Sequence, residues 1–246
     1  MTRAYRPRMI YELRRYRMRP GRRDTLISLF EREFIEGQEA AGMRVPGSFR
    51  EAGEPDTFPW LRAFPSMEER RASLETFYGG PVWQAHRDTA NATLDDSDDV
   101  LLLRPVGPEP PLSERPPAGA TGLPPALYVA TVHHVGAGFA GIFAREVAPV
   151  LAEAGVPVVA CFESEHAENT YPRLPVRTGV NVFVWFARFD SPEKEQEVDL
   201  PMITPPPHRP FTPPQTPPNG PLNHALTWRA DQGLPAGGRA NQIGWP

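Results

Sequence analysis

At 246 residues, with 40% hydrophobic side chains and a net charge of −4, the chain has room for one large or two small domains, and its composition excludes wholesale disorder and any general attraction to nucleic acid. No run approaches the roughly 20 apolar residues that a spanning helix needs. The N-terminal residues carry no apolar stretch of signal-peptide length, and the single cysteine, Cys161, excludes an internal disulfide framework and a Cys-based zinc site, so a cytoplasmic address is expected.

Met9–Met18 reads as a strand, aromatic-rich and roughly alternating, punctuated by Pro20 and Gly21. Asp24 is positioned to cap a helix running to Ala41, with Leu26, Phe30 and Phe34 on one stripe and Gly42 as its stop. Val45–Ala52 and Phe58–Phe64 read as strands joined by the turn-rich Gly53–Asp56. Ser66, with Glu69 three residues on, opens a second helix that breaks at Gly79-Gly80-Pro81 and resumes through Trp83–Ala92. Val100–Arg104 is a short buried strand. The order is β-α-β-β-α-β, a ferredoxin-like unit spanning residues 1–106.

Residues 107–125, with seven prolines, read as a semi-rigid linker. The pattern then returns in residues 126–200. Leu127–His134 is a strand, Phe139–Leu151 an amphipathic helix, Val156–Glu163 and Asn181–Phe189 are strands, and Ser191-Pro192 opens another helix. After Glu197 the match stops. Residues 201–246 hold twelve prolines, which lack the amide proton that central strands and helix interiors need, so most of this segment reads as a Pro-rich tail with His224–Arg229 as its one strand candidate.

The two blocks align. Ile10–Gly21 falls over Leu127–Gly138, Ala41–Phe49 over Ala154–Phe162, and Trp60–Glu69 over Trp185–Lys194, in the same order and at similar spacing. This is the signature of an internal duplication. The expected fold is α+β, two tandem ferredoxin-like units in a dimeric α+β barrel-type arrangement.

The segments YELRRYRMRPG (Tyr11–Gly21), FPWLRAFPSMEER (Phe58–Arg70) and FYGGPVWQAHRDTAN through VLLLRP (Phe77–Pro105) resemble the NIPSNAP family, as do ENTYPRLPVR (Glu168–Arg177) and NVFVWFARFDS (Asn181–Ser191). The resemblance implies the dimeric α+β barrel superfamily, in which two ferredoxin-like sheets face each other around a lumen. That superfamily includes cofactor-free monooxygenases, isomerases, decarboxylases and heme-degrading enzymes. The C-terminus departs from the family pattern, which ends in a helix and a strand. The blocks could close one barrel within the chain or pair across a homo-oligomer.

Alternation on the first strand puts Glu12, Arg14 and Tyr16 on one face and Tyr11 and Leu13 on the other. Val129, Thr131 and His133 answer the first set; Tyr128, Ala130 and Val132 answer the second. The apolar faces are expected to pack on the helices and the polar faces to line the space between the sheets, a chamber wide enough for one small ligand. There Glu12, Arg14 and Thr131 would bind a substrate, and Tyr16 or His133 would move protons. Glu12 and Arg14 could instead simply pair with each other, and His133 could be a satisfied core residue. Trp60 and Trp185, at equivalent positions, are core residues or platforms for a flat aromatic ligand.

No metal site is expected. His133 and His134 point to opposite faces, and of Glu163, Glu165 and His166 only the two glutamates share one. Cys161 reads as a buried apolar residue. No dinucleotide, phosphate-loop or nucleophile-elbow motif is present, so no cofactor is expected. Two functions follow: a cofactor-independent monooxygenase or isomerase acting on an aromatic or polyketide-like molecule, or a binding or scaffold protein of the same fold without turnover.

Overall fold

The computed structural model describes residues 9–107, 126–198 and 224–230. The linker and tail readings lie outside these residues, except for Gly107 and the segment 224–230.

β1 (Ile10–Met18) leads into α1 (Arg23–Leu29), which passes through a π-helical turn at Phe30–Phe34 into α2 (Ile35–Ala40). β2 (Arg44–Ser48), β3 (Arg50–Glu51) and β4 (Thr57–Phe64) follow, then α3 (Met67–Gly79), α4 (Pro81–Asn91), β5 (Leu94–Asp96) and β6 (Val100–Pro105). The second half carries β7 (Ala126–His134), α5 (Phe139–Ile142), a π turn at Phe143–Val147, α6 (Ala148–Glu153), β8 (Val158–Ser164), β9 (Val182–Phe189), α7 (Pro192–Gln196) and β10 (His224–Ala230).

Local chemistry explains most of these boundaries. Ser66 Oγ accepts from Glu69 N at 3.1 Å, and Ser191 Oγ accepts from Lys194 N at 3.4 Å, so the same cap opens a helix after the third strand of each half. Pro81 sits in the first turn of α4, where its missing amide proton costs nothing. Asp24 does not cap α1. It lies inside the first turn, where its carboxylate accepts from Arg50 Nε at 3.2 Å. The strand expected at 45–52 is two strands interrupted at Phe49, and β5 is a short strand that periodicity did not reveal.

The fold is mixed α+β with an antiparallel sheet. Its order is β2-β4-β1-β6-β8-β9-β7-β10-β3, with β5 beside β1. Residues 10–105 contribute four neighbouring strands in the order second, third, first, fourth, counting β2 and β3 as one segment; residues 126–230 contribute four in the same order. β6 joins the halves by pairing with β8, and β10 pairs with both β7 and β3. β10 corresponds to the strand candidate read at His224–Arg229, and it lies inside the Pro-rich segment. Only Phe49 separates the two strands that end the path.

Side chains bury into three clusters. One lies between the first-half strands and α1–α4, and another between the second-half strands and α5–α6. The third is shared by both halves. It packs Tyr11, Leu13, Leu61 and Leu103 against Tyr128, Ala130, Phe162 and Val184. Tyr11 and Phe162 meet edge-on at 4.9 Å, and Phe49 and Tyr128 at 5.3 Å.

This reverses the expected assignment of faces. The apolar faces of β1 and β7 meet each other, and Glu12, Arg14 and Tyr16 turn toward the helices. A side chain between two sheets finds only other strand side chains there, whereas the helices bring polar partners of their own.

Candidate small-molecule site

β1, β4 and α3 build a buried charged cluster beneath the first-half helices. The register sets Glu12 opposite Arg62. Glu12 Oε2 accepts from Arg14 Nη1 at 2.5 Å and from Arg62 Nε at 2.7 Å, while Oε1 accepts from Arg70 Nε at 2.6 Å. All four side chains are at most 1% exposed. Burial pushes the Glu12 carboxyl up, but Arg62, Arg14 and Arg70 outweigh it and hold it far below the usual carboxylate range. Arg70 reaches this cluster because it shares a stripe of α3 with Leu74 and Phe77, all three buried.

Above the cluster lies a cavity of about 110 Å³, between the sheet and α1–α4. Its walls are aromatic: Phe30, Phe34, Trp60, Phe77 and Trp83. Phe30 and Phe34 are the two ends of the π turn, a local distortion that recurs at functional sites. Phe30 meets Trp60 at 4.8 Å, and Tyr16 meets Trp60 edge-on at 5.7 Å. The polar lining includes Tyr16, Tyr78 and Gln38. The Tyr16 hydroxyl accepts from Arg14 Nε at 2.9 Å, which leaves its own proton to be donated elsewhere. Burial pushes the Tyr16 phenol up, with Arg14 opposing and Tyr78 adding to the rise, so it is protonated at neutral pH. Arg62 Nη1 donates to the Tyr78 hydroxyl at 3.3 Å and to Gln38 Oε1 at 3.4 Å.

The second half covers this site. In the segment between β8 and β9, Leu174 lines the cavity and Tyr171 stacks on Tyr78 at 6.0 Å. Arg70 Nη1 donates to Asn169 Oδ1 at 3.0 Å and to Thr170 Oγ1 at 3.3 Å, and Thr170 Oγ1 donates to the Met67 carbonyl at 3.1 Å. Arg177 pairs with Asp99 at 2.9 Å. The corresponding connection in the first half, Ala52–Asp56, is far shorter.

The residues singled out from the sequence therefore divide into two groups. Tyr16 and Trp60 line the cavity, and Glu12 and Arg14 lie behind them in the charged cluster. Thr131, His133 and Trp185 form a separate group under the second-half helices. Trp185 Nε1 donates to His133 Nε2 at 3.3 Å, Thr131 pairs in register with Trp185, and Phe139 packs on His133 at 6.3 Å. Burial lowers the His133 pKa, so its ring is neutral at neutral pH. Tyr16 and His133 do not meet across a shared interior, because both strands turn these residues outward to their own helices. Arg62, Arg70, Gln38 and Tyr78 were not singled out. The usable signal was Arg70, a charge on the apolar stripe of α3 that requires a carboxylate beneath it.

Burial pushes the Cys161 thiol up to about 12, which fits a packed apolar residue and not a nucleophile. Among the described residues no group of three or more His, Cys, Asp or Glu side chains could hold a metal ion, and no helix is long and apolar enough to cross a membrane.

Comparison with known proteins places half of this arrangement in a family. The NIPSNAP family model matches residues 11–107, the span that holds the charged cluster and most of the cavity wall. Residues 11–107 are a NIPSNAP domain. A NIPSNAP family protein from Agrobacterium tumefaciens is 22% identical over 41% of this chain and 91% of its own, with a TM-score of 0.38. A NIPSNAP-like protein from Burkholderia xenovorans is 26% identical over 39% and 84%, with a TM-score of 0.36. A candidate monooxygenase from Fusobacterium nucleatum is similar across both halves, covering 77% of this chain and 79% of its own, with a TM-score of 0.50 and 7% identity; that likeness concerns the fold alone. No curated protein sequence matches. The NIPSNAP domain supplies the Tyr16 cluster, and the cover comes from outside it, from residues 165–181.

Proposed function

We propose that the chain is a duplicated NIPSNAP-type protein whose two ferredoxin-like halves close one barrel, and that its NIPSNAP domain binds a ring-sized molecule under the helices. The equal strand orders and the paired serine caps support duplication. The β6–β8 and β10–β3 pairings, made within one chain, support closure without a second copy.

The observation that carries the binding reading is the aromatic cavity with the Arg14-held Tyr16 hydroxyl on its lining. An apolar cavity of about 150 Å³ takes up benzene, so a ligand held in about 110 Å³ is no larger than a single ring. Tyr16 would hydrogen-bond an oxyanion developing on the substrate, with Arg14 holding its hydroxyl in place. Oxyanion stabilisation of this kind serves both enolate isomerisation and cofactor-independent oxygenation. Binding without turnover is the second reading. Glu12 favours it, because a carboxylate tied to three guanidiniums is a poor base.

Tyr16→Phe separates the two readings, since it removes the hydroxyl and keeps the wall. A panel of phenols and cyclic diketones is followed by oxygen uptake and by deuterium exchange next to the carbonyl. Turnover in the variant is expected to fall about 10²- to 10⁴-fold with ligand affinity changed only a few-fold. Turnover equal to the wild type would remove Tyr16 from the chemistry.

A further inference from the structure

We propose that the ligand of this cavity is an anionic single-ring molecule, a carboxylate or phenolate whose charged oxygen answers the surplus positive charge of the Arg14–Arg62–Arg70 cluster. This rests on the reading that the cavity under the NIPSNAP helices is the binding site.

Three guanidiniums surround one carboxylate, all essentially buried, and two positive charges remain. Each buried ion carries a desolvation cost of several kcal/mol unless it is paired. Both Glu12 oxygens are already used, one by Arg14 and Arg62 and the other by Arg70. The other carboxylates of α3, Glu68, Glu69 and Glu75, lie on its exposed side.

The cluster also holds unfilled hydrogen-bonding capacity. Arg62 Nη2 and Arg70 Nη2 are buried and make no hydrogen bond among the described residues. Arg62 Nη1 makes only long bonds, to Tyr78 and Gln38, both on the cavity lining. Arg62 does not itself line the cavity, so an anion reaches it by displacing the Tyr78 and Gln38 contacts in exchange for a charge-assisted bond.

Trp60 forms a cavity wall, and the guanidinium carbons of Arg62 and Arg14 lie 5.3 and 5.7 Å from its ring centre. The wall suited to an aromatic ring is thus backed by cations. A neutral ring would satisfy the walls and leave the surplus charge unanswered.

The test compares benzoate with its neutral isostere benzamide, by calorimetry and by the fluorescence of Trp60 and Trp83. Benzoate is expected to bind the wild-type protein about 10- to 100-fold more tightly, the weight of a hydrogen bond to a charged group. Arg62→Met should fold, because it relieves repulsion, and should remove the preference. Ala90→Phe, which fills the cavity, should remove binding of both. Equal affinity for the two probes in the wild type overturns the anionic assignment and leaves the cavity reading intact. Binding of neither probe, or benzoate binding unaltered in Ala90→Phe, overturns the cavity reading and this inference with it. The wild-type comparison decides even if a variant fails to fold.

Discussion

Glu12→Gln is expected to destabilise the protein by about 3–5 kcal/mol, the cost of leaving buried charges without their counter-ion. The substitution keeps the shape of the side chain and removes the one negative charge among Arg14, Arg62 and Arg70. For a chain of this size that is a fall in Tm on the order of 10 °C. The effect carries a pH signature. The folded-state pKa of Glu12 lies far below its unfolded value of about 4.3. Its contribution is therefore complete above that value and is lost as pH falls toward the folded pKa. Urea unfolding of wild type and variant should show a gap that is constant from pH 6 to 8 and narrows below about pH 4. A gap under about 1 kcal/mol at pH 7, the range of exposed pairs, would mean that the cluster is solvated.

Phe162→Ala is expected to cost about 3–5 kcal/mol and to leave ligand binding unchanged. Phe162 is fully buried between the two halves, against Tyr11 at 4.9 Å and Phe186 at 5.9 Å. The substitution decides whether the space between the sheets is a packed core or a chamber. In a core, the lost ring leaves a void that its rigid neighbours fill only in part. In a chamber, the loss would be small and the ligand affinity would change. Chemical denaturation together with a ring-ligand titration reads both quantities.

Much of the architecture was legible in the sequence because its signals are local. The strands at Ile10–Met18 and Val182–Phe189 show in aromatic and β-branched runs, the helix starts in Ser66 and Ser191, and the break between α3 and α4 in Gly79-Gly80-Pro81. β10 was legible only as a candidate, because proline-rich surroundings argue against any strand there and pairing with β7 and β3 overrides them. Alternation separated Glu12, Arg14 and Tyr16 from Tyr11 and Leu13, but it cannot say which side faces a helix. The choice made from the sequence assumed that helices demand apolar partners. Arg70 and Tyr78 on α3, with Gln38 on α2, defeat that assumption by supplying polar ones. The π turn that brings both Phe30 and Phe34 to the cavity departs from helical periodicity and has no comparable sequence signal. Leu174 was out of reach for another reason: it comes from the second half, about 80 residues beyond the last helix over the cavity.

NMR shift mapping during a benzoate titration measures directly where a ligand goes. Shifts concentrated at Tyr16, Trp60, Trp83 and Leu174 are the predicted result. Shifts concentrated at Tyr128, Phe162 and Val184, between the two halves, would contradict it.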